Sequence, residues 1–363
     1  MWRRWGLVLA LGWAVAASGA PRAGLAGARP VAEPGAGKAP PTNEGTFVCK
    51  LDGADLLRLG GPTVPAWLPG GKQLLLATSN SLYRIGADGT GKALVYQDRA
   101  LAIILGLCVS PSGKFAAASV VRARDGAGAV RVWSVADGKL LVNDAVYEKA
   151  VVDEGARYLR AVLAWAPRRD RLAWVPMEYV GVSKRTRGVK VFDGETARWS
   201  TWYLERPVES LAWHPERETL LAATGETITE VDDNGRAQTA LVPSIMGGGA
   251  GDSPLVWLPK SDAFYWGQGF YGRGGQPMLP ELPDNDGPAA KVCWVAPDGR
   301  HLLLATSRVR DNGECETDLL LGGLGSALNT FRRTCRLTCV PQQVFLSVDG
   351  ARIAYVVGGY VPD

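Results

Sequence analysis

Short apolar runs broken by small polar turns follow one another down most of the chain. The clearest copy lies between Leu105 and Val142. Leu105 to Val109 and Phe115 to Val121 are apolar, with Ser110-Pro111-Ser112-Gly113-Lys114 between them. After a polar loop come Val130-Arg131-Val132-Trp133-Ser134, the turn Ala136-Asp137-Gly138-Lys139, and Leu140 to Val142. Runs of this length bounded by Gly, Pro, Asp and Ser have the signature of strands. The stretch predicts four antiparallel strands joined by turns.

The first half of this unit occurs seven times, as an apolar run, a turn and a second apolar run. Its turns are Trp67-Leu68-Pro69-Gly70, Ser110-Pro111-Ser112-Gly113, Trp165-Ala166-Pro167, Trp213-His214-Pro215, Trp257-Leu258-Pro259, Ala296-Pro297-Asp298-Gly299 and Ser347-Val348-Asp349-Gly350. They recur roughly every 38 to 56 residues, the period of propeller blades. Second hairpins fold at Asp88-Gly89, Asp193-Gly194 and Asn234-Gly235, pairs that accept the positive φ of tight hairpin turns. The fifth repeat is Pro-rich from Gln276 to Gly287, so its outer strands are left unassigned. The seventh repeat has only two strands. Its missing hairpin lies at the other end, where Thr46 to Leu51 turns at Asp52-Gly53 into Asp55 to Leu59. Pairing the two ends of the chain in one blade removes the free sheet edges. The expected fold class is therefore all-β: a seven-bladed β-propeller over residues 45–363, closed by its N-terminal and C-terminal strands.

The second repeat, Ser110-Pro111-Ser112-Gly113-Lys114 with Val130-Arg131-Val132-Trp133-Ser134 and Asp137-Gly138-Lys139, resembles a WD-repeat blade. The Trp-x-Pro turns resemble those of TolB-type propellers of bacterial envelopes. The resemblance covers about residues 45–363 and implies the fold; motifs that build blades say little about function. The Gly-His and Trp-Asp pairs of WD-repeats are missing, and with them the hydrogen-bond network those pairs make.

The ends add a cellular setting. Residues 1–20 read as a secretory signal: Arg3 and Arg4, an apolar run from Trp5 to Ala17, and Ala14-Val15-Ala16 as a cleavage site. The apolar run is too short to span a bilayer comfortably, so no membrane span is expected after its removal. Residues 21–44, rich in Pro, Ala and Gly, have too few bulky apolar groups to order themselves and read as a tether. The chain is expected in the periplasm or secreted, as a monomer. A formal charge of +4 from 40 basic and 36 acidic residues gives no bulk attraction to nucleic acid.

Candidate catalytic chemistry is sparse. Gly86-Ala87-Asp88-Gly89-Thr90-Gly91-Lys92 has P-loop spacing, but Ala93 stands where Ser or Thr should hold magnesium, and a strand follows instead of a helix. His214 and His301, the only histidines, both sit at first turns and leave a three-His metal site or a Ser-His-Asp triad unsupported. Asp232-Asp233-Asn234 and Asp284-Asn285-Asp286 lack the further ligands of a calcium loop. No cofactor is expected.

Six cysteines in an exported chain invite disulfides. In the sixth repeat, a hairpin folding near Gly325 would set Cys315 opposite Cys335, with Cys335–Cys339 and Cys315–Cys339 as alternatives. Cys108 and Cys293 read as buried reduced thiols in first strands, and Cys49 as a free thiol. The loops between second and third strands, which emerge on one face of a propeller, carry Arg122 and Arg124; Lys184, Arg185 and Arg187; Arg273 beside Phe270 and Tyr271; and Arg308 and Arg310. These ten residues are the candidate binding surface, for a protein or an anionic envelope polymer. The competing reading is a hydrolase or lyase working in the central channel, for which Glu209 and Glu178 are the nearest acid candidates.

Overall fold

The computed structural model describes residues 44–358 except 148–161, 176–177, 181–182, 186–187, 205–207, 209, 215, 225–226, 243–254, 259–262, 267–268, 273–275, 279–290, 296–300, 310–314, 324–330, 340 and 342. Within them the regular structure is strand throughout, arranged as seven antiparallel sheets of four strands and one additional two-stranded hairpin. From inner to outer strand, blade one is Val64–Trp67, Gln73–Ala77, Ser81–Gly86 and Ala93–Gln97; blade two is Leu101–Val109, Phe115–Arg122, Gly128–Ser134 and Leu140–Tyr147. Blade three is Leu163–Trp165, Arg171–Trp174, Gly188–Asp193 and Arg198–Tyr203; blade four is Ser210–Trp213, Leu220–Ala223, Ile228–Val231 and Ala237–Val242. Blade five is Val256–Leu258, Ala263–Trp266, Gly269–Gly272 and a two-residue outer strand, Pro277–Met278, which supplies the strands its sequence left unassigned. Blade six is Lys291–Val295, His301–Val309, Cys315–Gly323 and Phe331–Leu337.

Blade seven joins both ends of the chain. Its order is Gln343–Leu346, Arg352–Val357, Gly45–Lys50 and Leu57–Gly60. Gly45–Lys50 pairs with Arg352–Val357 in unbroken register, from Gly45 opposite Val357 to Lys50 opposite Arg352. This is the seven-bladed closure the repeat pattern predicts.

Burial follows strand position. Second strands such as Leu220–Ala223 and Ala263–Trp266 are buried at every residue, because a blade interior is covered by the neighbouring blades on both faces. Their sequences are accordingly continuous apolar runs instead of alternating ones. Outer strands such as Ala93–Gln97 and Leu57–Gly60 are mostly half-buried or exposed. The apolar clusters lie in the seams between neighbouring blades. Leu75, Leu82, Leu107 and Trp133 fill the seam of blades one and two, while Val130, Leu172, Trp174 and Phe192 fill that of two and three.

Two Trp residues of the Trp-x-Pro turns, Trp67 and Trp213, stitch seams between blades. Trp67 Nε1 donates to the Phe345 carbonyl of blade seven at 3.1 Å, and Trp213 Nε1 to the Ala164 carbonyl of blade three at 2.9 Å. In both cases the indole at the end of an inner strand reaches the preceding blade's inner strand, so a turn residue of one repeat fixes its neighbour's position.

One turn glycine is required twice over. Gly138 has φ of +68°, and a Cβ there would overlap the Val95 carbonyl oxygen on blade one. Gly91 has a similar φ, +64°, but open space around it. Gly91→Ala is expected to cost roughly 1 kcal/mol, the left-handed penalty alone. Gly138→Ala should cost clearly more, because backbone must move; urea denaturation of the two variants side by side checks the difference.

Candidate functional site

The face carrying the connections between second and third strands was the expected binding surface, and its bases fall into two kinds. In blade two the connection is a tight loop. Arg122 N–H donates to the Ala127 carbonyl at 2.9 Å, and Asp125 Oδ1 accepts from the Ala127 N–H at 3.0 Å. The same Asp125 pairs with the Arg122 guanidinium at 2.8 Å, so that charge is matched inside its own loop. Arg124 is exposed.

In blade six Arg308 is a strand residue directly across from Glu316. Its Nη2 and Nε donate to Glu316 Oε2 at 3.0 and 3.2 Å. Arg336, from the outer strand, donates to Asp318 at 2.7 Å and stands 3.9 Å from Glu316; Arg333 lies 3.7 Å from Asp318. The Arg336 hydrogen bond, with the nearby guanidinium charges, holds the Asp318 carboxyl below its usual range against the opposing effect of burial. Blade six therefore carries a cross-strand ladder of ion pairs and not a free basic rim. Arg187, Arg273 and Arg310 lie outside the described residues.

Blade three differs from both. Its connection forms a hairpin arm, Glu178–Val180 with Ser183–Arg185, in which Glu178 is opposite Arg185 and Tyr179 opposite Lys184. Lys184 and Arg185 thus sit on the returning strand of a small sheet of their own. The first strand of the arm approaches Leu140–Tyr147 of blade two. Just past the arm, Gly188 pairs with Tyr203, which puts Tyr203 at the end of the blade nearest the arm. Tyr203 is 80% exposed and Trp199, on the same strand, 52%. Lys190 Nζ stands 5.0 Å from the Trp199 ring centroid and is bonded to Asp144 of blade two, whose other carboxylate oxygen accepts the Trp174 indole N–H at 2.9 Å. Sequence reasoning passed over Trp199 and Tyr203. The available signal was an outer strand, Arg198 to Trp202, with a large aromatic on each face.

Two expectations need correcting. Phe270 and Tyr271 are not loop residues: they belong to the third strand of blade five, and Tyr271 is stacked on Phe264 at 5.7 Å, half-buried against the apolar seam. In chain order Arg273 follows that strand, and it lies outside the described residues. The cysteine register also differs. Leu319 is opposite Cys335, and Cys315 is opposite Val309, so Cys315 and Cys335 do not face each other. Cys49, read as a free thiol, is a free cysteine here, and it lies with Cys335 in one buried cluster across the seam of blades six and seven.

The P-loop-like heptad is a hairpin turn whose donors are already used. Gly89 N–H donates to the Gly86 carbonyl, and the Thr90 N–H and hydroxyl both donate to Asp88 Oδ1, at 3.0 and 2.8 Å. Asp88 thus takes up the Thr90 donors of its own turn. His214 likewise braces a turn. Its Nδ1 accepts from the Glu216 and Arg217 N–H groups at 3.0 and 2.9 Å, and its ring packs on Trp257 at 4.8 Å. Glu178 is in the blade-three arm, and Glu209 lies outside the described residues. Among the described residues no group of three or more His, Cys, Asp or Glu is arranged to hold a metal ion.

No family model and no curated protein matches the chain. Solved propellers do. An oligogalacturonate lyase in complex with manganese superposes with a TM-score of 0.52 at 11% identity, covering 81% of this chain and 88% of its own. A chain of a mitotic checkpoint complex gives 0.51 at 13% identity, over 94% and 100%. A structure reported as a TolB of Agrobacterium tumefaciens gives 0.45 at 14% identity, over 87% and 98%. At these identities the likeness to the first two agrees with the propeller fold alone and leaves function to the chain's own residues.

Proposed function

We propose that this chain is a non-enzymatic exported binding or scaffold module that holds an anionic partner, a protein segment or an envelope polymer, on its loop face beside blade three. The observation that carries the reading is the blade-three arm. Lys184 and Arg185 stand on a dedicated hairpin, at the end of the blade that also carries the exposed Tyr203. Basic groups beside exposed aromatic rings suit carboxylate-bearing ligands, because charge and a flat apolar surface are offered together. The signal-like residues 1–20 and the tether 21–44 fit a monomeric propeller carried into the periplasm or beyond.

Poly-glutamate is a suitable probe. The variant Lys184→Ser, Arg185→Ser, Arg187→Ser is expected to bind it about tenfold more weakly, the combined effect of three charges at roughly 0.5 kcal/mol each. Tyr203→Ser should weaken it further, and added salt should narrow the difference between wild type and variant. Lys114→Ser with Lys139→Ser, on turns of the opposite face, should leave binding unchanged. Equal binding by the arm triple variant and the wild type would sink the reading.

A further inference from the structure

We propose that Cys49 and Cys335 form a disulfide that locks the closing blade to blade six. Cys49 lies on the N-terminal strand Gly45–Lys50, and Cys335 on the outer strand of blade six. The two are buried in one apolar cluster with Leu319, Leu337, Ile353 and Tyr355. Backbone geometry holds the second sulfur in place: Gly53, with φ of +84°, closes the turn after Cys49, and a Cβ there would come within 2.9 Å of Cys335 Sγ. The turn thus keeps a space that the Cys335 sulfur fills.

The chemistry has a direction. The two thiols interact, and this interaction draws the Cys335 thiol below its ordinary range, while the same interaction and burial push Cys49 up. Cys335 is therefore the nucleophile. Its thiolate attacks an incoming disulfide, forming a mixed disulfide and releasing one thiolate. Cys49 then gives up its proton and attacks the Cys335 sulfur, which forms the intramolecular bond and releases the second thiolate. The oxidant, a small-molecule or protein disulfide, leaves as two thiols, and two protein thiols become one disulfide. Cys339, half-buried beside them, is pushed up to about 11, chiefly by burial, and competes poorly for the mixed disulfide.

The bond would tie the first strand of the propeller to the sixth of seven blades, so nearly the whole ring lies within the loop it closes. Terminal strands are where such rings fray. Both sulfurs are buried, so the reaction needs the closing hairpin to peel away or to be caught before it docks. The bond is then a record that closure has occurred. The exported reading bears only on where the oxidant is met, not on the pairing itself.

The test uses the reduced full chain and oxidised glutathione, followed by alkylation and peptide mapping without reduction. The expected result is a crosslinked peptide pair carrying Cys49 and Cys335, formed faster in sub-denaturing urea, with a melting temperature several degrees above that of the reduced chain. Cys49→Ala, a small apolar replacement, should abolish both the crosslink and the temperature difference, while Cys315→Ser should keep them. If the Cys49 variant misfolds, the mapped pair in wild type and Cys315→Ser decides alone. Six alkylatable thiols after oxidation, or a crosslink mapped to Cys335–Cys339 or Cys315–Cys339, would overturn the proposal.

Discussion

Arg131→Met is expected to destabilise the propeller by about 3 kcal/mol, the lower end of what breaking a buried ion pair costs. Arg131 is 6% exposed on the third strand of blade two and reaches across the seam to blade one. Its guanidinium donates to Asp98 Oδ2 at 2.7 Å, the Tyr96 hydroxyl at 3.0 Å and Asn143 Oδ1 at 3.0 Å. Removing it strands three acceptors at once, and Asp98 keeps enough solvent contact to soften the penalty. Asp98→Asn keeps an acceptor but leaves the buried Arg131 charge without its carboxylate, and should cost about 2 to 3 kcal/mol.

The pair also sets an acid limit. The Arg131 hydrogen bond, aided by the Ala100 N–H, holds the Asp98 carboxyl below its ordinary 3.8 despite partial burial. As pH falls the unfolded chain takes up this proton first. The stabilisation is complete above pH 4 or so, and is lost as pH drops through the lower folded value. Asp318 acts with the same sign. Urea midpoints between pH 5 and pH 2.5 should therefore fall less steeply in Asp98→Asn than in wild type. Parallel curves would mean that Asp98 does not drive acid unfolding.

Why the sequence spoke for the fold and not for the seams can be seen in particular residues. Strand periodicity and turn residues encode each blade from within. Asp52-Gly53 and the hairpin around it were thus readable as the missing half of blade seven, far away in sequence. What touches across a seam depends on how two sheets stack, which no local pattern records. Cys49 and Cys335 are an instance, as are Arg131 and Asp98. Register inside a long hairpin is also weakly encoded. A fold point near Gly325 would bring Cys315 to Cys335. The observed pairing of Gly322 with Phe331 moves that point later, a bulge at Leu319 and Leu320 adds one more residue, and Leu319 takes the place instead. The loop face was misjudged for a related reason: counting bases sees Arg308 but not Glu316 standing opposite it. Phe270 and Tyr271 were misplaced because blade five turns after only four residues of second strand, a boundary its apolar run conceals.

Trp174→Ala should be the most damaging single change within a blade, at about 3 to 5 kcal/mol. The side chain is fully buried on the second strand of blade three and packs among Val130, Val132, Val142, Leu172 and Phe192, which belong to two blades. Truncation leaves a cavity that neither sheet can close, since each is pinned by its own ladder. It also removes the indole N–H from Asp144, which then keeps Lys190 as its side-chain partner among the described residues. Trp174→Phe separates the two effects: it retains most of the packing, loses the hydrogen bond, and should cost about 1 to 2 kcal/mol. Equal losses for the two variants in urea denaturation would assign the whole effect to Asp144. The expected order, Ala well beyond Phe, assigns it to the seam. Because Asp144 also steadies Lys190 beneath Trp199, Trp174→Phe should speed amide exchange on Arg198–Tyr203 and on the arm next to it, while exchange in blade one stays unchanged.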